Sequence, residues 1–209
     1  MKESTLIPDM KFARLASAEQ IERTVQSLGK NGIKAYVAES GEEARKKLWE
    51  LIPPGAEVFT ATSATLDELG VLAEVETRYN SVRARLAKMD PKKEMREMIK
   101  MGAVPEFMLG SVQAVTETGS IVIGSATGSQ LSGYAAAANK VIWVVGAQKI
   151  VPTLEDGLRR LYDYCLPLED TRALKVYGVN SSVNKILIIH KETTPGRISM
   201  IIVKQKLGF

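Results

Sequence analysis

Between Glu117 and Gln130 the chain reads ETGSIVIGSATGSQ, one carboxylate followed by glycines set among serine and threonine hydroxyls. Thr118, Gly119, Gly124, Ser125, Thr127, Gly128, Ser129 and Gln130 are the residue types that leave backbone amides bare in a loop. A helix expected over SQLSGYAAAANK (129–140) would turn its positive end toward them. That chemistry holds a small anion. The alternative for the same residues is ordinary helix capping beside a tight turn.

Glu117, just before Gly119, is either a general base or nucleophile in an enclosed loop, or a solvated turn carboxylate. Lys149 follows the apolar run VIWVVGA (141–147), at the carboxyl end of a strand, where parallel sheets place their ligands. There it pairs with a substrate carboxylate or phosphate, or else lies on the surface ahead of Pro152. Thr60, Thr62 and Ser63 occupy the equivalent place after AEVFTA (56–61). Two nucleotide motifs are excluded. No G-x-G-x-x-G occurs, and Gly128 to Gly133 has Walker A spacing but is followed by Tyr134-Ala135 instead of Lys and Ser/Thr.

His190, the one histidine, sits in the apolar run KILIIHK and reads as a strand-edge residue. A Ser-His-Asp triad exists only if His190 is its base, and a His-rich metal site is excluded. Cys165 reads as packed, and as the only cysteine it leaves no intramolecular disulfide and no thiolate metal or iron–sulfur site within this chain. Arg172 and Arg197 each read as a carboxylate clamp or a surface cation.

The elements that must position these groups follow from periodicity. Ile21, Val25 and Leu28 share one face of a helix over 18–30, which Gly32 stops. Strands are expected at 33–38 and 56–61, around a helix opened by Ser40 and ended at Pro53-Pro54-Gly55. This alternation predicts a parallel sheet. Residues 80–101 are helical and charged, with Pro91 starting a second helix at its first turn. Glu117-Thr118-Gly119 joins SVQAV to SIVIGSA as a hairpin, and Thr153 caps a helix running to about Cys165. KILIIHK (185–191) and RISMIIV (197–203) flank Thr194-Pro195-Gly196 as an antiparallel C-terminal strand pair. The expected whole is a single α/β domain over 1–209, with its helical N-terminal part (about 1–30) packed on a mainly parallel sheet flanked by helices.

With 209 residues, 45% of them hydrophobic, the chain can bury a continuous core. The net charge of +4, from 28 basic and 24 acidic residues spread along the chain, suits acidic small molecules and speaks against nucleic acid. The N-terminus has no apolar leader segment and no run reaches the length of a membrane span, so a cytoplasmic location is expected.

Three segments together resemble a known family. Ala114-Val115-Thr116-Glu117-Thr118-Gly119, Gly146-Ala147-Gln148-Lys149-Ile150-Val151-Pro152 and the ending Leu207-Gly208-Phe209 look like the LUD (lactate-utilisation) domain, most strongly over residues 102–209. Gln148 stands where many relatives have Asn. The resemblance implies a fold of the isomerase/CoA-transferase/formyltetrahydrofolate-cycloligase superfamily. It also implies an accessory role, beside iron–sulfur oxidoreductase subunits, in oxidising L-lactate or a related 2-hydroxy acid to pyruvate. On that reading the chain binds a small anionic metabolite and no cofactor of its own, with iron–sulfur clusters only on a partner. A homodimer is the family's habit. Two alternatives stand beside it: a stand-alone acyl or CoA transferase, sugar-phosphate isomerase or cycloligase using Glu117, and a non-catalytic interaction module.

Overall fold

The computed structural model describes Ser4 and residues 6–209. Ser17 opens helix α1 (Ala18–Lys30) with a capping box, its hydroxyl and the Gln20 side chain each taking the other's backbone N–H. Ile21, Thr24 and Leu28 are buried along one face and Val25 packs half-buried beside them. Gly32 ends the helix at φ +78°, where a Cβ would lie 2.1 Å from the Glu192 carbonyl oxygen.

Strand β1 (Lys34–Ala38), helix α2 (Gly41–Glu50), strand β2 (Glu57–Thr60) and the short helices α3 (Ala64–Glu68) and α4 (Val71–Arg78) follow. Then come β3 (Asn80–Ser81), α5 (Val82–Leu86) and α6 (Pro91–Ala103), with Pro91 in the first turn of α6 as expected. After β4 (Phe107–Gly110), β5 (Ala114–Thr116) and β6 (Ile121–Ser125) form the predicted hairpin, with Val115 opposite Ile121 and Gly119 at φ +82°. The chain closes with β7 (Lys140–Gly146), β8 (Ile150–Val151), α7 (Leu154–Arg160), α8 (Leu166–Tyr177), β9 (Lys185–Ile189) and β10 (Ile198–Val203).

Six strands make a parallel sheet in the order β1-β10-β7-β4-β2-β3. A second sheet, β8-β5-β6-β9, is antiparallel except for the β5–β8 pair. Alternation along β7 and β10 builds two cores. Val141, Trp143, Val145, Met200 and Ile202 face the second sheet, while Ile142, Val144, Ile201 and Val203 face α2, α3 and α4. The outer side of the second sheet buries Ala114, Val122 and Val151 against Leu161, Tyr164 and Cys165. The result is four layers: helices, parallel sheet, second sheet, helices.

Three expectations change in detail. The C-terminal runs do not pair with each other: β9 lies antiparallel to β6, whereas β10 enters the parallel sheet between β1 and β7. Burial explains the separation, since every second side chain of β10 is needed on each face of the central sheet, and β9 is exposed at Lys185 and Ile186. The helix expected over 129–140 is reduced to a π-helical turn, Gly133–Ala137. The Arg197 guanidinium takes the carbonyls of Gly133, Tyr134, Ala135 and Ala138, which a longer helix would have used.

The helix from Thr153 does not end at Cys165 but passes through a π turn (Leu161–Cys165) into α8. Pro167 has no N–H for the Asp163 carbonyl, and Asp9 N donates to that carbonyl instead at 2.8 Å.

Candidate functional site

The carboxyl ends of β2, β4, β7 and β10 converge on one cleft of about 260 Å³. Ala61 to Thr65 follow β2, Ser111 to Gln113 follow β4, Lys149 follows β7 and Phe209 follows β10. Ser125 to Gln130, without Gly128, supply another wall, and Leu161, Cys165, Leu166, Glu169 and Arg172 a third. This is where an open parallel sheet places a ligand.

Lys149 stands at the floor, only 2% exposed. Its Nζ donates to Thr65 Oγ1 and to Ser111 Oγ, both at 3.0 Å. Thr65 Oγ1 in turn donates to the Leu207 carbonyl at 3.2 Å. Among the described residues no carboxylate lies within ion-pairing distance of Lys149. Loss of water, reinforced by the Arg160 guanidinium, pulls its pKa from 10.5 to about 7.

Arg160 is fully buried behind the cleft wall. Its Nε donates to the Gln148 carbonyl at 3.2 Å, while Nη1 reaches the Gln113 carbonyl and lies 3.0 Å from Cys165 Sγ. Its Nη2 has no partner among the described residues, and no acid pairs with it there. Cys165 lines the cleft, and burial pushes its thiol up against the opposing pull of Arg160. At the mouth, Arg172 holds Glu169 with two contacts of 2.7 Å, so the one acid that lines the cleft among the described residues is already neutralised. The interior field is positive.

The Gly/Ser/Thr loop does less than its composition suggests. Gly128 N donates to Ser125 Oγ at 2.8 Å and Ser129 N to Thr127 Oγ1 at 3.4 Å, while Ser125 Oγ donates to Gln130 Oε1 at 3.0 Å. These groups satisfy one another, and no long helix follows to add a dipole. Ser125, Thr127, Ser129 and Gln130 therefore present side chains to the cleft instead of bare amides. Gly128, at φ +85°, faces the Lys185 stem and not the cleft. Gly124 lines the wall, where a Cβ would lie 2.5 Å from Leu161 Cδ1.

Thr62 and Ser63 line the cleft, and the Ser63 hydroxyl also caps α3. Thr60 is buried within β2, its carbonyl accepting from Arg83 Nη2 at 3.0 Å, and does not reach the cleft. Glu117, Thr118 and Gly119 lie outside it too. Glu117 accepts from Gln20 Nε2 at 2.8 Å and pairs with Arg23 at 2.7 Å, tying α1 to the second sheet. The Gln20 amide and the Arg23 guanidinium hold its carboxyl below the usual range, the opposite of what a general base at neutral pH requires. Thr118 accepts from Asn31 through its carbonyl at 3.0 Å. His190 is exposed, with Nδ1 2.9 Å from Ser120 Oγ. Arg197 clamps a carboxylate, but an internal one: Glu192, at 2.6 Å.

Sequence reasoning missed Thr65, Ser111 and Arg160. The first two obey the rule that singled out Lys149, since each lies just beyond a parallel strand. Arg160 sits one turn after Gly157 on the buried side of α7, an arginine on an apolar face. Gln148 pins the tail over the site, its Nε2 donating to the Leu207 carbonyl at 2.8 Å. Among the described residues no cluster of His, Cys, Asp and Glu could hold a metal ion, and no helix is long and apolar enough to cross a membrane.

The layered sheets define a known α/β architecture. A crystal structure of a DUF162 family protein from Deinococcus radiodurans superposes with a TM-score of 0.55, covering 91% of this chain and 99% of that one at 14% identity. At that identity the likeness concerns the fold alone. No curated protein matches the sequence. Residues 21–204 match the LUD domain, and the chain belongs to that family, a domain associated with lactate utilisation.

Proposed function

We propose that this LUD domain binds a small carboxylate anion in the cleft, as a component of the oxidation of lactate or a related 2-hydroxy acid. One observation carries the reading. Lys149 and Arg160 are buried beside the cleft, and among the described residues neither has a carboxylate partner. Buried cations are ordinarily paired, and an unpaired one costs several kcal/mol. A small anion entering the cleft supplies the missing charge, and the hydroxyls of Ser63, Ser111 and Thr127 supply hydrogen bonds to its remaining polar atoms. The volume suits a metabolite of a few heavy atoms rather than a dinucleotide.

On this reading the electron transfer of such an oxidation falls to a partner, for which an iron–sulfur protein is the class expected. The test is thermal unfolding against lactate, pyruvate, glycolate, sugar phosphates and acyl-CoA. A true ligand at a hundred times its dissociation constant stabilises the fold by about 2.7 kcal/mol, or several degrees. Stabilisation by the small carboxylates, absent in Lys149→Met, is the expected result. Stabilisation by acyl-CoA or sugar phosphates alone would transfer the site to the enzyme classes of the same superfamily.

A further inference from the structure

From the surroundings of Lys149 we infer that its Nζ is a carbonyl-reactive amine, and that the cleft captures the 2-oxo form of its acid ligand as an imine. This rests on the reading of the cleft as a small-carboxylate site and adds a reaction to it.

The argument begins with the hydrogen bonds of Nζ. A neutral amine has two N–H groups and one lone pair. Two acceptors stand at 3.0 Å, Thr65 Oγ1 and Ser111 Oγ, and no third partner is present among the described residues. With both N–H groups spent on the hydroxyls, the lone pair is left for the cleft that Lys149 lines. A lysine meant only as a point charge does better in solvent or beside a carboxylate; Lys149 is 2% exposed, and among the described residues Glu68 acts on it only from beyond ion-pairing distance. Burial and the Arg160 charge favour the neutral amine, which is the nucleophilic form. The hydroxyl of Thr65 donates to the Leu207 carbonyl at 3.2 Å, with Ser111 Oγ a longer second acceptor at 3.4 Å, whereas the Ser111 hydroxyl accepts from both neighbours and donates no bond among the described residues. Ser111 is thereby placed to donate to a carbonyl oxygen attacked by Nζ.

The step balances without a redox partner. Nζ adds to the carbonyl carbon, and one amine proton passes through the Ser111 hydroxyl to the carbonyl oxygen, giving a carbinolamine. The C–O bond then breaks as that oxygen takes a proton from solvent and leaves as water, and the remaining nitrogen lone pair forms the protonated imine. A 2-hydroxy acid has no carbonyl and cannot follow this course, so the site discriminates the oxidised acid from the reduced one. The 2-oxo acid comes from a reaction that oxidises a 2-hydroxy acid.

The experiment treats the full chain with pyruvate or glyoxylate, then with borohydride, and reads intact mass and peptide map. Expected is one reduced adduct, on Lys149, absent with lactate and absent in Lys149→Arg, its yield rising as pH passes about 7. Ser111→Ala keeps the amine and should slow trapping about a hundredfold while pyruvate still shifts the unfolding temperature. That split separates a positioning role from loss of fold. If pyruvate or glyoxylate stabilises the protein yet no adduct forms on Lys149, or adducts scatter over exposed lysines, the imine is refuted and the carboxylate site survives. If neither acid stabilises the protein and neither is trapped, both readings fall.

Discussion

Replacing Lys149 with methionine removes a charge from a site with almost no water while keeping a side chain of similar length. The size of the effect follows from proton linkage. In the unfolded chain the amine titrates near 10.5, and in the folded chain near 7. The folded state therefore binds fewer protons than the unfolded one between those values. Above pH 10.5 the amine is neutral in both states and burial costs no charge. As pH falls from 10.5 to 7 the unfolded chain takes up a proton that the folded chain refuses, and stability falls by about 1.4 kcal/mol per pH unit. Below pH 7 the penalty is constant, at about 5 kcal/mol.

Wild type should consequently gain stability from pH 7 to pH 10 relative to Lys149→Met, by about 3–6 °C in unfolding temperature per pH unit for a chain of this size. Ionisable groups remote from Lys149 are common to both proteins and cancel in the difference, whereas the Cys165 thiol, which the Lys149 charge pulls down, does not and is replaced by alanine in both. The assay is thermal unfolding of both proteins at pH 7, 8, 9 and 10 in constant salt. Parallel curves would sink the argument, because they would mean that Lys149 is solvated or paired in the folded state.

Two further outcomes test the rest of the site and its frame. Glu117→Gln should cost at most about 1 kcal/mol, because the Arg23 side chain is 55% exposed, and should leave ligand-induced thermal shifts unchanged. The contribution of Glu117 exists at neutral pH and is lost as pH falls below 4.5 through the lower folded value. Loss of ligand binding with the fold intact would return Glu117 to the site. Arg197→Ala leaves Glu192, whose side chain is 8% exposed, without its cation and uncaps four carbonyls, and should cost about 3–5 kcal/mol in denaturant unfolding. A loss below about 1 kcal/mol would show that water replaces it.

Local pattern was enough wherever the physics is local. VIWVVG is apolar at every position after its lysine, the mark of a strand covered on both faces, and β7 lies at the centre of the parallel sheet. Asp90-Pro91 starts α6 because an N-terminal turn needs no N–H from its proline. Thr118-Gly119 turns the β5–β6 hairpin because only glycine accepts φ +82° without strain. The separation of β9 from β10 had no local sign. Both are short β-branched runs, and only the partners β6 and β7, far upstream, assign them to different sheets. The π turn at Leu161–Cys165 was hidden for the same reason, since Pro167 argues for an end unless something else takes the Asp163 carbonyl, and that donor is Asp9.

Glu117 and Lys149 show why a site is harder to read than a sheet. Each is a charged residue beyond a strand in a glycine-rich setting, and their immediate neighbours do not rank them. What ranks them is distant in the chain. Glu117 meets Gln20 and Arg23, 97 and 94 residues upstream, which satisfy it and hold it ionised. Lys149 meets Thr65 and Ser111, 84 and 38 residues upstream, which hydrogen-bond it without neutralising it. The satisfied charge belongs to the frame that docks α1, and the unsatisfied one belongs to the cleft. A fold that binds Glu192 to Arg197, both nearly closed to solvent, has the means to pair its buried ions. That Lys149 and Arg160 stay without an acid among the described residues is therefore selective, and their missing partner is best sought in the ligand.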